Sequence, residues 1–219
     1  MNSNPQDGTS VKKYGLALHT ASRELGLAIS NFAGDSRCQT WNLDRDLATH
    51  LHQYLVEFIG PQTLADLAFI AVAKGPGGFT GTRMGMVTAR TLAQQLDIPV
   101  FAVSTLAAVA CSSSKKFISN QDMALQMPAQ RGQLFGALYS VNKDFGVTEV
   151  FTDTVMTPES WHEKLESLES AYQLIEVGSE LGWSVSSVLE LAYLEWKQGS
   201  RPDWSDALPF YGQHPVKGH

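Results

Sequence analysis

From residue 14 onward, brief apolar runs alternate with polar turns. Residues 14–18, 26–32 and 37–43 each read as a strand, and Gly34 and Asp35 supply the chemistry of the second turn. The period then lengthens. Leu47, Leu51, Tyr54, Leu55 and Phe58 recur at helical spacing, behind Asp44 or Asp46 as a cap and ahead of a stop at Gly60-Pro61. A continuous apolar run over 67–73 predicts a buried strand. A glycine-rich stretch follows, and residues 86–96, free of Pro and Gly, predict a helix. Another buried strand, 100–103, leads to Ser104, a cap for a helix over 105–111.

The second half repeats the mixture in shorter form after a polar break at 112–116. Strands are predicted over 123–127, 133–141 and 147–155, and Pro158 suits the first turn of a helix over 159–168. A strand at 172–177 and a helix at 185–196, closed by Gly199, complete the pattern, with residues 209–215 extended and packed through aromatics. This order predicts an α/β protein of two related lobes, 13–111 and a smaller 112–219, behind a disordered polar tail, 1–12. No repeat at the level of sequence accompanies the repeated pattern.

Composition narrows the function classes. The 219 residues are enough for a sizeable core. Sixteen basic against 22 acidic residues give a charge of -6, so no overall field draws in nucleic acid or anionic lipid. Cys38 and Cys111 are too few for a disulfide framework. The tail lacks the apolar run of a secretory signal, and no run approaches membrane-spanning length, so a cytoplasmic protein is expected.

Candidate chemistry concentrates between Lys74 and Gly85. A glycine turn between a strand and a helix gathers unpaired N–H groups at the positive helix end, a place that suits an anion. Gly75, Gly77, Gly78, Thr80, Gly81 and Arg83 are the candidate anion or nucleotide residues. The simple nucleotide motifs fail, however. There is no P-loop, and the third glycine of a dinucleotide fingerprint should fall at Thr80 but falls at Gly81. On the following helix, Gly81, Gly85, Ala89, Leu92, Ala93 and Leu96 make a small face suited to a sheet. Met84, Val87, Thr88 and Thr91 make a second uncharged face, which is either internal or meets a partner.

The run Lys74-Gly-Pro-Gly-Gly-Phe-Thr-Gly-Thr-Arg-Met-Gly85 resembles the signature of the TsaB (YeaZ) family. Val103-Ser104-Thr105-Leu106 and Leu18-His19-Thr20-Ala21-Ser22 resemble two further motifs of that family. The resemblance implies an actin-like ATPase fold (ASKHA, ribonuclease-H-like). It also implies a non-catalytic scaffold role in forming tRNA threonylcarbamoyladenosine, and so engagement with tRNA only indirectly. The implied partners are a TsaD-like transferase and a TsaE-like ATPase. No intrinsic cofactor is implied, although ATP or ADP could sit at the interface of the complex, and a homodimer is expected when the chain is alone. The two adjacent helices would form the contact surface through His50, Tyr54, Met84, Val87, Thr88 and Thr91.

Departures from the family pattern bear on the rival readings. His19 stands where the family has an aspartate, and an imidazole is a poor substitute for a hard oxygen ligand of Mg²⁺. That weakens the alternative of an ATPase or small-molecule kinase using the Gly75–Gly85 loop. Pro128, Gln130 and Gln133 replace charged family residues. A metal site of the kind found in the related transferase needs His at i and i+4. Here Tyr54 follows His50 at that spacing, and His52 lies two residues on, on a diverging side of the helix.

Overall fold

A computed structural model of the chain describes residues 13–115, 122–142, 146–210 and 212. The expected tail 1–12 lies outside them, as do residue 116 of the polar break and residues 211 and 213–215 of the extended tail. Strands β1 (Tyr14–His19), β2 (Glu24–Ser30) and β3 (Ser36–Asn42) form an antiparallel meander. β4 (Leu67–Ala73) and β5 (Val100–Val103) add parallel to β1, giving the order β3-β2-β1-β4-β5. β4 and β5 coincide with the two continuous apolar runs, because a parallel strand covered on both faces has no polar phase.

The second sheet repeats this plan. β6 (Asp122–Pro128), β7 (Leu134–Asn142) and β8 (Gly146–Met156) form the meander, β9 (Tyr172–Glu176) lies parallel to β6, and the order is β8-β7-β6-β9. The arrangement is that of the first sheet without its fifth strand. The lobes are therefore related in topology, as the actin-like, ribonuclease-H-like expectation requires, although their sequences show no repeat.

The helices complete a five-layer stack. α1 (Leu47–Ile59) and α2 (Phe79–Leu96) cover the outer face of the first sheet, burying Leu51, Leu55, Met86, Ala89 and Ala93 against Leu16, Leu18 and Leu27. Each such fully buried leucine contributes roughly 2 kcal/mol. α3 (Thr105–Ser114) and α5 (Val185–Lys197) form the central layer. α5 packs on the inner face of the first sheet through Val185, Val188 and Ala192, and α3 packs on the second sheet through Leu106 and Val109. The two touch through the Ser112 and Ser187 hydroxyls, 2.7 Å apart. α4 (Pro158–Glu166) covers the far face of the second sheet with Trp161 and Leu165.

Several expectations shift. The division at 111/112 separates the sheets but not the helices, because α3 belongs to the second sheet and α5 to the first. α3 also runs on to Ser114, through most of the expected break. Segment 202–210 returns to the first lobe, where Val100 N–H donates to the Pro202 carbonyl at 3.3 Å and Ala207 is buried in the outer core. Ser104 caps α3 as expected, accepting from Ala107 N–H at 3.1 Å. Asp46 stands at the start of α1 without a side-chain cap bond, since 44–46 form a tight 3-10 turn instead. α2 begins at Phe79 rather than at 86 and carries Gly81 and Gly85 inside it.

Candidate functional site

Those helical glycines are explained by what lies against them. The turn between β1 and β2 presses on the loop with its backbone. A Cβ on Gly77 would lie 2.1 Å from the Ala21 carbonyl oxygen. One on Gly81 would lie 2.1 Å from the Thr20 carbonyl oxygen, and one on Gly85 2.1 Å from Thr20 Oγ1. No side chain fits at such distances, so glycine is required by contact rather than by conformation. Gly78 N–H donates to the Ala21 carbonyl at 2.7 Å, Thr20 Oγ1 donates to the Gly81 carbonyl at 2.8 Å, and Thr82 Oγ1 donates to the Gly78 carbonyl at 2.8 Å. Gly75 is the exception, needing glycine for its φ of 98° as well as for the Phe210 carbonyl, 2.8 Å from where its Cβ would be.

The anion set proposed from sequence is thus divided. Gly75 and Gly77 are packed away. Gly78, Thr80 and Gly81 line a cleft of about 580 Å³ with Ser22, Arg23, Arg45 and, from the second lobe, Met127 and Ser179. Arg83 turns from this cleft to the other side of α2, with its guanidinium 4.7 Å over the Phe79 ring. Two carbonyl oxygens, of Thr20 and Ala21, stand against the glycines at the helix start, where a bound anion would bring its own oxygens.

His19, at the end of β1, is fully buried, and neither ring nitrogen has a hydrogen-bond partner. Thr105 Oγ1 is in the same condition. Burial lowers the imidazole pKa to about 4, so His19 is neutral near pH 7. Among the described residues, no group of three or more His, Cys, Asp or Glu side chains could hold a metal ion. His50 packs toward Tyr54, ring centroids 5.7 Å apart, while His52 points into a groove on the opposite side.

That groove, between α1 and α2, has a volume of about 680 Å³. α1 contributes His52, Leu55, Val56 and Ile59, and α2 contributes Met84, Val87, Thr88, Thr91 and Leu92. Val56 is 74% exposed and Val87 62%, large apolar side chains standing in solvent on facing helices. Met84, Val87, Thr88 and Thr91 of the expected contact set thus lie together along the groove, with Thr88 buried as its floor. His50 and Tyr54 of that set lie outside the groove: Tyr54 stacks on Trp41 of β3 at 4.9 Å with His50 beside it, and the groove side of α1 is the 52, 55, 56, 59 stripe. Helical spacing alone does not say which side of α1 faces α2; the stacking of Tyr54 on Trp41 decides it.

Arg37 on β3 fixes the end of α1 beside the groove. Its Nη2 lies 3.0, 2.6 and 3.0 Å from the Phe58, Ile59 and Gly60 carbonyl oxygens and 2.7 Å from Gln62 Oε1, four acceptors sharing its two hydrogens. Carbonyls at a helix end lack intrahelical partners, and a cation there satisfies several at once. Arg37→Ala is expected to lower stability by about 2 kcal/mol in chemical denaturation, with hydrogen exchange rising first at 56–60.

Comparison with known proteins places this geometry. The family model described as TsaD, tRNA N6-adenosine threonylcarbamoyltransferase, matches residues 56–180. The chain is similar to the tRNA threonylcarbamoyladenosine biosynthesis protein TsaB of Buchnera aphidicola subsp. Schizaphis graminum, 30% identical over 148 residues, 68% of each chain. It is 31% identical to TsaB of Buchnera aphidicola subsp. Acyrthosiphon pisum over 53% of this chain and 52% of that one, so it spans about half that relative's length. TsaB of Bacillus subtilis is 38% identical over 46% of this chain and 42% of its own. Among solved structures, YeaZ from Pseudomonas aeruginosa has the same fold, with a TM-score of 0.74 at 21% identity, covering 90% of this chain and 99% of that one.

Proposed function

Because the chain belongs to the TsaB (YeaZ) family, we propose that it is a scaffold subunit in the formation of tRNA threonylcarbamoyladenosine, binding and activating a TsaD-like transferase without catalysing the reaction itself. The observation that carries this reading is the apolar groove between α1 and α2. Two exposed valines, Val56 and Val87, flank it, and few charged groups line it. Exposed apolar surface of this kind marks a protein contact. In the proposal a TsaE-like ATPase joins the complex, with ATP or ADP at a shared interface, and a second copy of the chain occupies the groove when the transferase is absent.

The loop supports the scaffold role more than an ATPase or kinase role. Its glycines accommodate the Thr20-Ala21 backbone, and the residue at the end of β1 is a buried neutral imidazole rather than a carboxylate. Steady ATP turnover by the isolated pure protein would reverse this ranking.

The direct test is co-purification with the transferase from the same source, with and without ATP. Met84→Glu with Val87→Glu puts two charges into the groove. It is expected to weaken transferase binding at least a hundredfold by calorimetry and to leave a monomer by light scattering, with the far-ultraviolet dichroism unchanged. Intact binding in that variant would move the contact surface elsewhere.

A further inference from the structure

A buried polar cluster lies where the two lobes meet, away from both the groove and the cleft. Asp153 on β8, Tyr139 on β7 and Ser104 at the start of α3 are all buried. The Asp153 carboxylate accepts from Ser104 Oγ at 2.5 Å and from the Tyr139 hydroxyl at 2.9 Å. The Tyr139 hydroxyl also lies 3.3 Å from Ser104 Oγ, which accepts in turn from Ala107 N–H. Burial raises the Asp153 carboxyl pKa; the hydroxyl donors and the Lys74 charge act the other way. A carboxylate taken out of water persists where donors satisfy it, and each oxygen of Asp153 has one hydroxyl donor.

The residues on either side of Ser104 hold the glycine loop. Lys74 N–H donates to the Val103 carbonyl at 2.8 Å, and Thr105 N–H donates to the Gly75 carbonyl at 2.9 Å. Beyond Gly75 the loop makes its contacts with Thr20 and Ala21 and enters α2, which forms one wall of the groove. A continuous bonded path therefore runs from the second sheet, through Asp153 and Ser104, to the first turn of α2.

We propose that Asp153 is a positioning residue: by holding Ser104 it ties the second lobe to the glycine loop and sets the start of α2, and with it the groove, in the geometry a partner meets. The loop part stands on geometry alone, and the partner part rests on the scaffold reading of the groove. In this arrangement the second lobe, which contributes nothing to the groove lining, still governs its shape.

The test is amide hydrogen exchange on the full chain without a partner. Asp153→Asn removes the charge and turns one acceptor into a donor, so one of the two hydroxyls must turn round to accept, and the charge-assisted hold on Ser104 is weakened. It is expected to speed exchange at 74–82 by about tenfold more than at 14–18. Ser104→Ala removes the arm to the loop while keeping the carboxylate–tyrosine pair, and must loosen the same segment. Tyr139→Phe keeps that arm and must leave the segment near wild type. Uniform acceleration across the chain, or loop exchange unchanged in both Asp153→Asn and Ser104→Ala, overturns the proposal. Transferase affinity of the loosened variants is then measured by calorimetry. A fall of about tenfold supports the link to the groove, and an unchanged affinity overturns that link while leaving the loop tie in place. Transferase binding that survives Met84→Glu with Val87→Glu counts against the groove reading alone.

Discussion

Gly81→Ala is expected to destabilise the protein by about 3 kcal/mol, with loss of the folded state at moderate temperature. Local propensity argues for the opposite sign, since alanine inside a helix is favoured over glycine by up to about 1 kcal/mol. The contact reverses this. The new methyl would stand 2.1 Å from the Thr20 carbonyl oxygen, so either the β1–β2 turn or the start of α2 must move. Gly77→Ala meets the Ala21 carbonyl at the same distance and should behave alike. Two other glycines serve as controls. At Gly78 the nearest atom to a Cβ would be 3.7 Å away, and at Gly178 nothing lies within 4 Å, so alanine at either costs about 0.5 kcal/mol or less. Thermal and urea unfolding of the four variants decide the matter. Were the glycines there to admit a ligand, Gly81→Ala would fold as well as wild type and lose only that ligand.

The second large effect is sensitivity to acid. His19 is buried without a partner, and its pKa is lowered to about 4, against an ordinary 6.5. The unfolded chain therefore takes up a proton at a higher pH than the folded one. Stability from this residue is complete above pH 6.5 and falls as the pH drops from 6.5 to 4, by about 3 kcal/mol over that interval. Asp153 and Glu195, whose carboxyls burial raises, act in the opposite sense over their own range, so the comparison must be a difference. His19→Leu removes the titration and both unpartnered nitrogens. Its unfolding free energy should lose this part of the slope between pH 6.5 and 4, and equal slopes in the two proteins would show that His19 is not the cause.

The legible parts of the sequence were those set by neighbours along the chain. Leu67–Ala73 and Val100–Val103 are uninterrupted apolar runs, and Ser104 precedes a helix with the side chain a cap needs. The glycine stretch and its companion motifs carried the family and its fold. What escaped was set by residues distant in sequence. The sequence puts Gly81 and Gly85 on a small helix face suited to a sheet, but what lies against them is Thr20 in the β1–β2 turn. His50 and Tyr54 lie on a helix beside α2, but Trp41 holds Tyr54 against β3, with His50 beside it, away from the groove. Asp153 was passed over inside a predicted strand. It shares the strand phase of Val147 and Val155, which pack on the inner core of the second lobe. Glu149 stands in the same phase, so alternation along the strand does not single Asp153 out.

The central layer of α3 and α5 has a consequence for how the chain is made. The first sheet is encoded before residue 104, but its inner face is covered by a helix that begins at Val185, and its outer core is completed by Ala207. During synthesis the N-terminal strands emerge long before their cover. Contacts joining positions so far apart slow folding and leave apolar surface exposed while the chain grows. The early lobe must therefore wait, partly bare, until α5 has been translated.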